Sequence, residues 1–306
     1  MLSEGTKIRD FTIVRPPWMS SDAHICSVNI GMMADSYMAV DASGNTVLLK
    51  CYKCPAPTDR WIDAYAAYQQ ELRRTVEADA ELLALTCRAV DFFRYNVVGK
   101  SVASQFYFQV FEFINGESLA DFLDEDTGCD IDKRTDFALQ MTHAMSVFHR
   151  AGIVHSDLKP DNLLLVPSDC AGGCTLKVVS LEWALLNGVE APFKDEIGYP
   201  TTPDYSSPEH IRGERPSAAS DVFTCGLMLY ELITRDGNPY GGLELEECKR
   251  KVMGFAAPEP VLIASRAADA DAKVRAVVRA CLDPDPDARP TAHEVERVLA
   301  AWQKSN

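Results

Sequence analysis

The sequence predicts an α+β protein with two lobes, a β-rich first lobe with one main helix and a mostly helical second lobe. Three observations predict this class. Over the first ~110 residues, short runs rich in β-branched and aromatic residues alternate with turn residues. One long stretch among them has helical apolar periodicity, and helical periods dominate the remainder. With 306 residues, of which 47% are hydrophobic, the chain is long enough to bury a substantial core in one or two lobes.

The net charge of the chain indicates which class of partner it binds, and its first residues and its cysteines indicate its cellular compartment. A net charge of −15 argues against a nucleic acid or an anionic membrane as the main partner, because either needs a basic surface, and it favours basic partners. The first residues lack the apolar core of a signal peptide, and no apolar run is long enough for a membrane span. The sequence therefore predicts a cytoplasmic protein. Its ten cysteines are then free thiols, and the pairs Cys51/Cys54 and Cys170/Cys174 lie too far apart in the chain to indicate a zinc site.

The first lobe is predicted to be an antiparallel sheet of five strands with one helix. Six strand-like runs are the candidates for these five strands: residues 11–14, 24–30, 36–40, 46–52, 89–97 and 104–113. Between them, residues 58–85 have the period of a single long helix. Its apolar face consists of Trp61, Tyr65, Tyr68, Leu72, Val76, Leu82 and Leu83.

The second lobe begins with helices and then changes to a polar loop and a strand pair. A helix opens at Ser118, and a helical period covers residues 131–151. A polar loop follows at residues 155–162, and residues 163–166 and 175–179 have the pattern of a hairpin. The polar loop is therefore held between two buried segments.

Three side chains of this loop suit phosphoryl transfer. Asp157 can accept a proton from a hydroxyl group, Lys159 can neutralise charge on a phosphoryl group, and Asn162 can give an oxygen ligand to a hard cation. The alternative is an ordinary capped loop, because Asp and Asn are common turn residues. The order and spacing of the three groups favour a catalytic loop.

This loop resembles the catalytic loop of eukaryotic-like (Hanks-type) Ser/Thr protein kinases, which reads His-Arg-Asp-Leu-Lys-x-x-Asn, with Ser156 replacing the Arg. The resemblance implies a bilobal protein-kinase fold in a single domain, residues 1–306, with the small lobe and hinge at 1–114 and the large lobe at 115–306. It also implies that Lys50, in the run Val-Leu-Leu-Lys, binds the nucleotide phosphates and pairs with a helix acid. When the Leu82-Leu83 pair is aligned with the family's helix, Asp79 falls at the position of that acid, with Glu77 and Glu81 as neighbours.

The nucleotide site departs from the family pattern. The glycine-rich loop is reduced to one glycine, Gly31, in the better of two registers, and the alternative register through residues 15–21 has none. Leu48 stands where the family has a small Ala above the adenine, and its larger side chain occupies that space. The resemblance assigns Phe111 as the gatekeeper, and backbone atoms of Glu112 and Ile114 as the groups that face the adenine edge.

The metal site is also altered, whereas the protein-substrate platform is kept. Ser180 aligns with the metal-binding Asp of Asp-Phe-Gly, which leaves Asn162 and Ser180 as the metal residues; a shifted register would instead give Glu182. The segment with Thr202 and the Ser-Pro-Glu run at 207–209 resembles the family's docking platform. Asp221 matches the residue that holds the catalytic-loop backbone, and Arg289 matches the partner of Glu209.

Two functions follow from this resemblance. The favoured one is a pseudokinase, a binding or regulatory module with weak or no Mg-ATP phosphotransfer, because several charged groups of phosphate and metal binding are absent together. The alternative is an atypical but active Ser/Thr protein kinase that uses ATP and Mg²⁺, with Asp157, Lys159 and Asn162 as its catalytic residues. A pseudokinase would bind no cofactor or a nucleotide without metal. In either case the expected partner or substrate is a protein.

Overall fold

The computed structural model describes residues 2–17, 19, 27–30, 34–52, 59–98, 103–125, 130–169, 173–234, 237–254 and 259–305. The chain forms two compact units. The first contains Met1–Arg74 and Cys87–Asn115, and the second contains Thr75–Thr86 and Gly116–Asn306. The assignment of both units to one domain stays a prediction. No helix in the described ranges is long and apolar enough to cross a membrane.

The first unit is built on an antiparallel sheet, as the sequence predicts. Its strands are β1 (Lys7–Ile8), β2 (Phe11–Ile13), β3 (Ser27–Ile30), β4 (Ala34–Val40), β5 (Thr46–Tyr52), β6 (Ala89–Val98) and β7 (Ala103–Glu112). The strand order is β1-β2-β4-β5-β7-β6, and β3 pairs with β4. The predicted count of five is too low, because seven strands lie in the described part of the sheet. Strand β1 has two residues, which is too short for a period of two to be recognised.

The alternation of side chains gives the two faces of this sheet different roles. One face carries the apolar core, because alternate residues of the central strands are buried against the N-terminal strands. That core consists of Leu2, Ile8, Ile13, Tyr37, Ala39, Val47, Leu49, Phe93, Phe108 and Val110. The intervening residues of β5, Leu48, Lys50 and Tyr52, therefore project from the opposite face.

The predicted helix at residues 58–85 is two helices. The structure has α1 at Asp59–Ala78 and α2 at Ala80–Leu85. Asp79 between them has an extended backbone, with φ −119° and ψ 113°, and its carboxylate accepts hydrogen bonds from the amides of Glu81 (2.9 Å) and Leu82 (3.2 Å). Aspartate is a preferred residue for capping a helix N-terminus in this way. The prediction of one continuous helix is therefore wrong, because the cap ends the first helix and starts the second.

The second unit is mostly helical, as the sequence predicts. Its helices are α3 (Leu119–Glu125), α4 (Ile131–Arg150), α5 (Lys194–Ile197), α6 (Pro208–Ile211), α7 (Ala218–Ile233), α8 (Leu245–Met253), α9 (Ala268–Cys281) and α10 (Ala292–Gln303). Its strands are β8 (Glu117–Ser118), β9 (Ile153–Val154), β10 (Leu163–Pro167), β11 (Cys174–Val178) and β12 (Leu185–Leu186). Helix α7 is buried along most of its length, so it forms the centre of this unit.

Candidate active site

The polar loop predicted from the sequence is anchored to the buried helix α7. The carboxylate of Asp221 accepts hydrogen bonds from the amides of His155 (2.7 Å) and Ser156 (3.0 Å), and it also bonds to the ring of His149 (3.1 Å). Burial raises the pKa of this carboxyl, but the bond from His149 and the neighbouring imidazole groups outweigh it, so the pKa of Asp221 is lowered. The predicted role of Asp221 in holding the loop backbone is confirmed.

The loop brings its three candidate catalytic residues into one tight turn. The side-chain amide of Asn162 donates to the carbonyl of Asp157 at 2.7 Å, and the backbone amide of Asn162 donates to the carbonyl of Lys159 at 3.0 Å. The hydroxyl of Thr202 donates to Oδ1 of Asp157 at 3.1 Å. The backbone of Asp157 is therefore held by its own loop, and its carboxylate is held by the segment that contains Thr202.

The candidate metal residues meet at one end of the β10–β11 hairpin. The amide of Val179 donates to the carbonyl of Asn162 at 2.9 Å, and the carbonyl of Val179 bonds to Nε2 of His155 at 3.0 Å. Ser180 follows directly, in the left-handed backbone region at φ 64° and ψ 54°. This conformation is uncommon for a residue with a side chain, and Asp and Asn adopt it more readily than Ser.

These two residues fit a magnesium ion poorly. The pair offers a carboxamide and a hydroxyl, and neither group carries a negative charge. Mg²⁺ gives up its water ligands reluctantly and is usually held by one or two carboxylates together with substrate phosphates. A divalent cation would therefore find no anionic ligand in this pair. Glu182, the alternative ligand, lies two residues further on in the 3-10 turn Leu181–Trp183.

In the first unit, Lys50 lies on β5 opposite Gln109 of β7. Its ammonium nitrogen is 5.5 Å from the centre of the Phe111 ring, and Leu48 is the cross-strand partner of Phe111 on the same face. Burial lowers the pKa of Lys50 to about 8, and the nearby Cys87 thiol opposes that shift. Leu48 therefore occupies the strand face that carries Lys50, as its place in the sequence predicts.

Of the backbone groups predicted to face an adenine, those of Glu112 already make hydrogen bonds within the first unit. The carbonyl of Glu112 accepts a hydrogen bond from the thiol of Cys87 at 3.2 Å, and its amide donates to the carbonyl of Arg88 at 3.0 Å. Ile114 lies two residues further along in a segment without regular structure. Gly31, the remaining glycine of the phosphate loop, falls outside the described residues.

Gln69 of α1 contacts the Lys50 face of the sheet, as does Tyr65, whose hydroxyl lies 3.0 Å from that of Tyr52. The contact of Gln69 is made by its side-chain amide. Its Oε1 accepts a hydrogen bond from Nε2 of Gln109 at 3.1 Å, and both side chains are buried. The sequence argument missed Gln69, although it lies four residues after Tyr65 on the apolar stripe of the helix. A polar residue within that stripe was the available signal. The pairing of Asp79 with Lys50 stays a prediction, while the observed role of Asp79 is to cap α2.

The position of the missing arginine is filled by a buried uncharged network. Ser156 has a left-handed backbone at φ 70°, and its hydroxyl lies 3.4 Å from Nε2 of His210. The other ring nitrogen of His210 bonds to the hydroxyl of Ser207 at 2.9 Å. Burial lowers the pKa of His210, which favours the neutral ring. The sequence argument did not identify His210, because the motif of the docking platform ends at Glu209 and does not include the residue after it.

The predicted pairing of Glu209 with Arg289 is confirmed. The guanidinium group donates to both carboxylate oxygens, at 2.8 and 3.2 Å, and both side chains are almost fully buried. Paired hydrogen bonds of this kind fix the relative orientation of the two groups as well as joining them. The scaffold of the second unit is therefore that of a bilobal kinase, and the class defined by fold and site is a protein-kinase-like protein.

Comparison with known proteins agrees with this class. Residues 63–298 match the model of the protein kinase domain, so the chain belongs to the protein kinase family. It is similar to serine/threonine-protein kinases drp72 of Corynebacterium efficiens, with 34% identity over 47% of this chain and 27% of the relative.

Two further relatives come from other organisms. Serine/threonine-protein kinase PkaA of Streptomyces coelicolor is 28% identical over 62% of this chain and 33% of its own length. Serine/threonine-protein kinase Nek9 of Xenopus laevis is 29% identical over 55% of this chain and 17% of its own length. The chain thus matches a third or less of each of these three relatives.

Proposed function

We propose that this member of the protein kinase family is a pseudokinase that binds or regulates a protein partner. The observation that carries the proposal is Ser180, a neutral residue in a backbone conformation suited to Asp, at the point where the family binds its metal. Losing that carboxylate removes the main local anion for a divalent cation. Because such groups stabilise the charge that develops on the transferred phosphoryl group, each loss costs about 3–4 kcal/mol of transition-state stabilisation.

Three further departures point in the same direction. Leu48 adds side-chain volume on the Lys50 face of the sheet, and the neutral side chain of Gln69 contacts that face from α1. The carbonyl of Glu112 already accepts a hydrogen bond from Cys87, so an adenine amine would share it with the thiol. These residues affect adenine and phosphate binding independently of the metal. Together they make nucleotide binding weak. The protein then binds no cofactor, or it binds a nucleotide without a metal ion.

An active Ser/Thr protein kinase is the second candidate, and one observation favours it. The Asp157 carboxylate is held by Thr202, and its carbonyl is held by Asn162, which is the arrangement a catalytic base requires. In that case Asp157 accepts the proton of a substrate hydroxyl, Lys159 balances the phosphoryl charge, and ATP with Mg²⁺ is the cofactor. The names of the similar kinases imply a protein substrate for this candidate.

Thermal melting distinguishes the two candidates at the level of binding. We expect ATP to change the melting temperature little, and equally in Mg²⁺ and in EDTA, because the metal position lacks a carboxylate. The control is Lys50→Met, which removes the ammonium group and should then melt with the same small response to ATP. A large stabilisation by ATP that requires Mg²⁺ and disappears in Lys50→Met would contradict the proposal.

A further inference from the structure

A buried histidine connects the polar loop at residues 155–162 to the start of helix α6. Nδ1 of His210 lies 2.9 Å from the hydroxyl oxygen of Ser207, and Nε2 lies 3.4 Å from the hydroxyl oxygen of Ser156. The exposed fractions of the three residues are 0% to 9%. Ser207 is the N-cap of α6, and Ser156 directly precedes Asp157 in the loop. The imidazole ring is therefore a side-chain link between these two segments.

The contacts of Ser207 indicate which nitrogen of the ring carries the proton. The hydroxyl oxygen of Ser207 accepts a hydrogen bond from the backbone amide of His210 at 3.4 Å, so its own proton is available to Nδ1. In a neutral imidazole one nitrogen accepts and the other donates. Nδ1 then accepts from Ser207, and Nε2 carries its proton towards Ser156. This arrangement of the two links requires the neutral ring.

Burial keeps the ring neutral although carboxylates lie near it on each neighbouring segment. Burial lowers the pKa of His210, while the carboxylate of Asp221 on α7, a bond to the Ser156 backbone, and the carboxylates of Glu209 on α6 and Asp157 in the loop oppose that shift. Two of these anions already have partners, because Asp221 accepts bonds from the loop amides and Glu209 is paired with a guanidinium group. The neutral form of the ring is therefore the one that the closed arrangement favours.

Protonation of the ring is incompatible with these links. With a proton on both nitrogens, Nδ1 no longer accepts from Ser207, and the Ser207 hydroxyl has to turn its proton elsewhere in a buried position. The imidazolium is then a charge on a side chain that is 9% exposed. An open arrangement, in which the ring reaches water, therefore binds a proton more readily than the closed one.

We propose that His210 is a positioning residue that holds the loop of Asp157 on helix α6 while its ring is neutral, and that acidification releases the loop. Because the pKa of the ring is lowered in the closed arrangement, closure is fully stabilised above the ordinary histidine value of about 6.5. The stabilisation falls as the pH drops from there towards the lowered pKa. The inference goes beyond the proposed function, because the loop is held in the same way in a binding module and in an active kinase.

Hydrogen exchange of the full chain over a range of pH tests the inference. The probes are the amide of Ser156, which donates to Asp221 at 3.0 Å, and the amide of Ile211, which donates to the carbonyl of Ser207 at 3.1 Å. Protection factors correct for the intrinsic pH dependence of exchange. Between about pH 7.5 and about pH 5, we expect both protection factors to fall about threefold or more. The ring resonance of His210 should titrate together with this fall, below about pH 6.5.

Two variants remove the titrating ring and keep part of its hydrogen bonding. His210→Gln can donate towards Ser156, His210→Asn can accept from Ser207, and neither side chain titrates. In each variant we expect the protection of the Ser156 and Ile211 amides to be independent of pH over this range. The matched control is His293→Gln, which removes an exposed ring on α10 and should keep the fall in protection of the wild type.

Either of two results would overturn the inference. One is a fall in protection that persists in His210→Gln or His210→Asn, which would assign it to another group, such as His149 beside Asp221 or Glu231 beside Tyr205. The other is wild-type protection that does not follow the titration of the His210 ring. One folded variant is enough for the decision. Because the measurements use no nucleotide, failure of this inference is distinct from failure of the pseudokinase proposal.

Discussion

Two serines with left-handed backbones lie at the points where the related kinase motifs carry charge. Ser156 has φ 70° and stands in place of the Arg before Asp157, and Ser180 has φ 64° and aligns with the metal-binding Asp. A left-handed residue with a Cβ costs roughly 1–2 kcal/mol, so the fold maintains both conformations through the bonds around them. Asp221 supplies those bonds at Ser156. At these two positions the left-handed backbone is held, while the charged side chain of the family motif is replaced by serine.

The buried pair of Glu209 and Arg289 allows a prediction on stability. Glu209→Gln leaves the guanidinium group buried without an anion, so we expect the free energy of unfolding to fall by about 3–5 kcal/mol in urea. The matched control is Glu214→Gln, which removes an exposed partner from Arg212 and should change nothing measurable. Equal effects of the two substitutions would show that burial of the pair does not contribute as argued.

At the scale of elements, the sequence predicted most strands of the first unit and the helices at Ser118 and over residues 131–151, but not the point where α1 ends. The apolar period continues from α1 into α2, so periodicity alone gives one helix, and only the capping bonds of Asp79 separate them. The sequence argument placed the helix acid at Asp79, between α1 and α2, and it did not identify Gln69, which faces the sheet from the centre of α1. Motif spacing identified the catalytic loop, because its three residues lie within one turn. Residues that meet only through packing, such as His210 and Ser156, leave no such pattern.

The segment from Ser180 to Glu209 gives a prediction about phosphorylation. We expect a phosphate on Thr202 to lower the protection of this segment from hydrogen exchange, because it replaces the bond from the Thr202 hydroxyl to Asp157 with repulsion between two anions. The neutral network of Ser156 and His210 offers no cation for capture of the phosphate. Thr201→Glu is the control, and we expect unchanged protection, because it removes only a 3.4 Å bond from the Ser206 hydroxyl, which also donates to the Thr202 carbonyl at 3.0 Å. If phosphate on Thr201 or Thr202 is instead bound by other basic residues and raises protection, this account of the segment is wrong.

For the whole molecule, the family and fold class could be predicted from the sequence because several motifs occur in the family's order. The match over residues 63–298 covers the helix α1, the catalytic loop and the Arg289 scaffold. The state of the nucleotide site is harder to predict, since it depends on how Leu48, Gln69 and the Glu112 carbonyl act together. The acidic net charge of −15 favours a basic partner, but its identity is not encoded in any motif.

The most direct test of the pseudokinase proposal is transfer of labelled phosphate from ATP to a basic test protein. The variants are Asp157→Ala, which removes the base, and Ser180→Asp and Leu48→Ala, singly and together, which restore the metal carboxylate and the adenine space. We predict that the wild-type rate equals that of Asp157→Ala, that Ser180→Asp alone changes nothing, and that only the double variant gains activity. Wild-type transfer that disappears in Asp157→Ala would contradict the account.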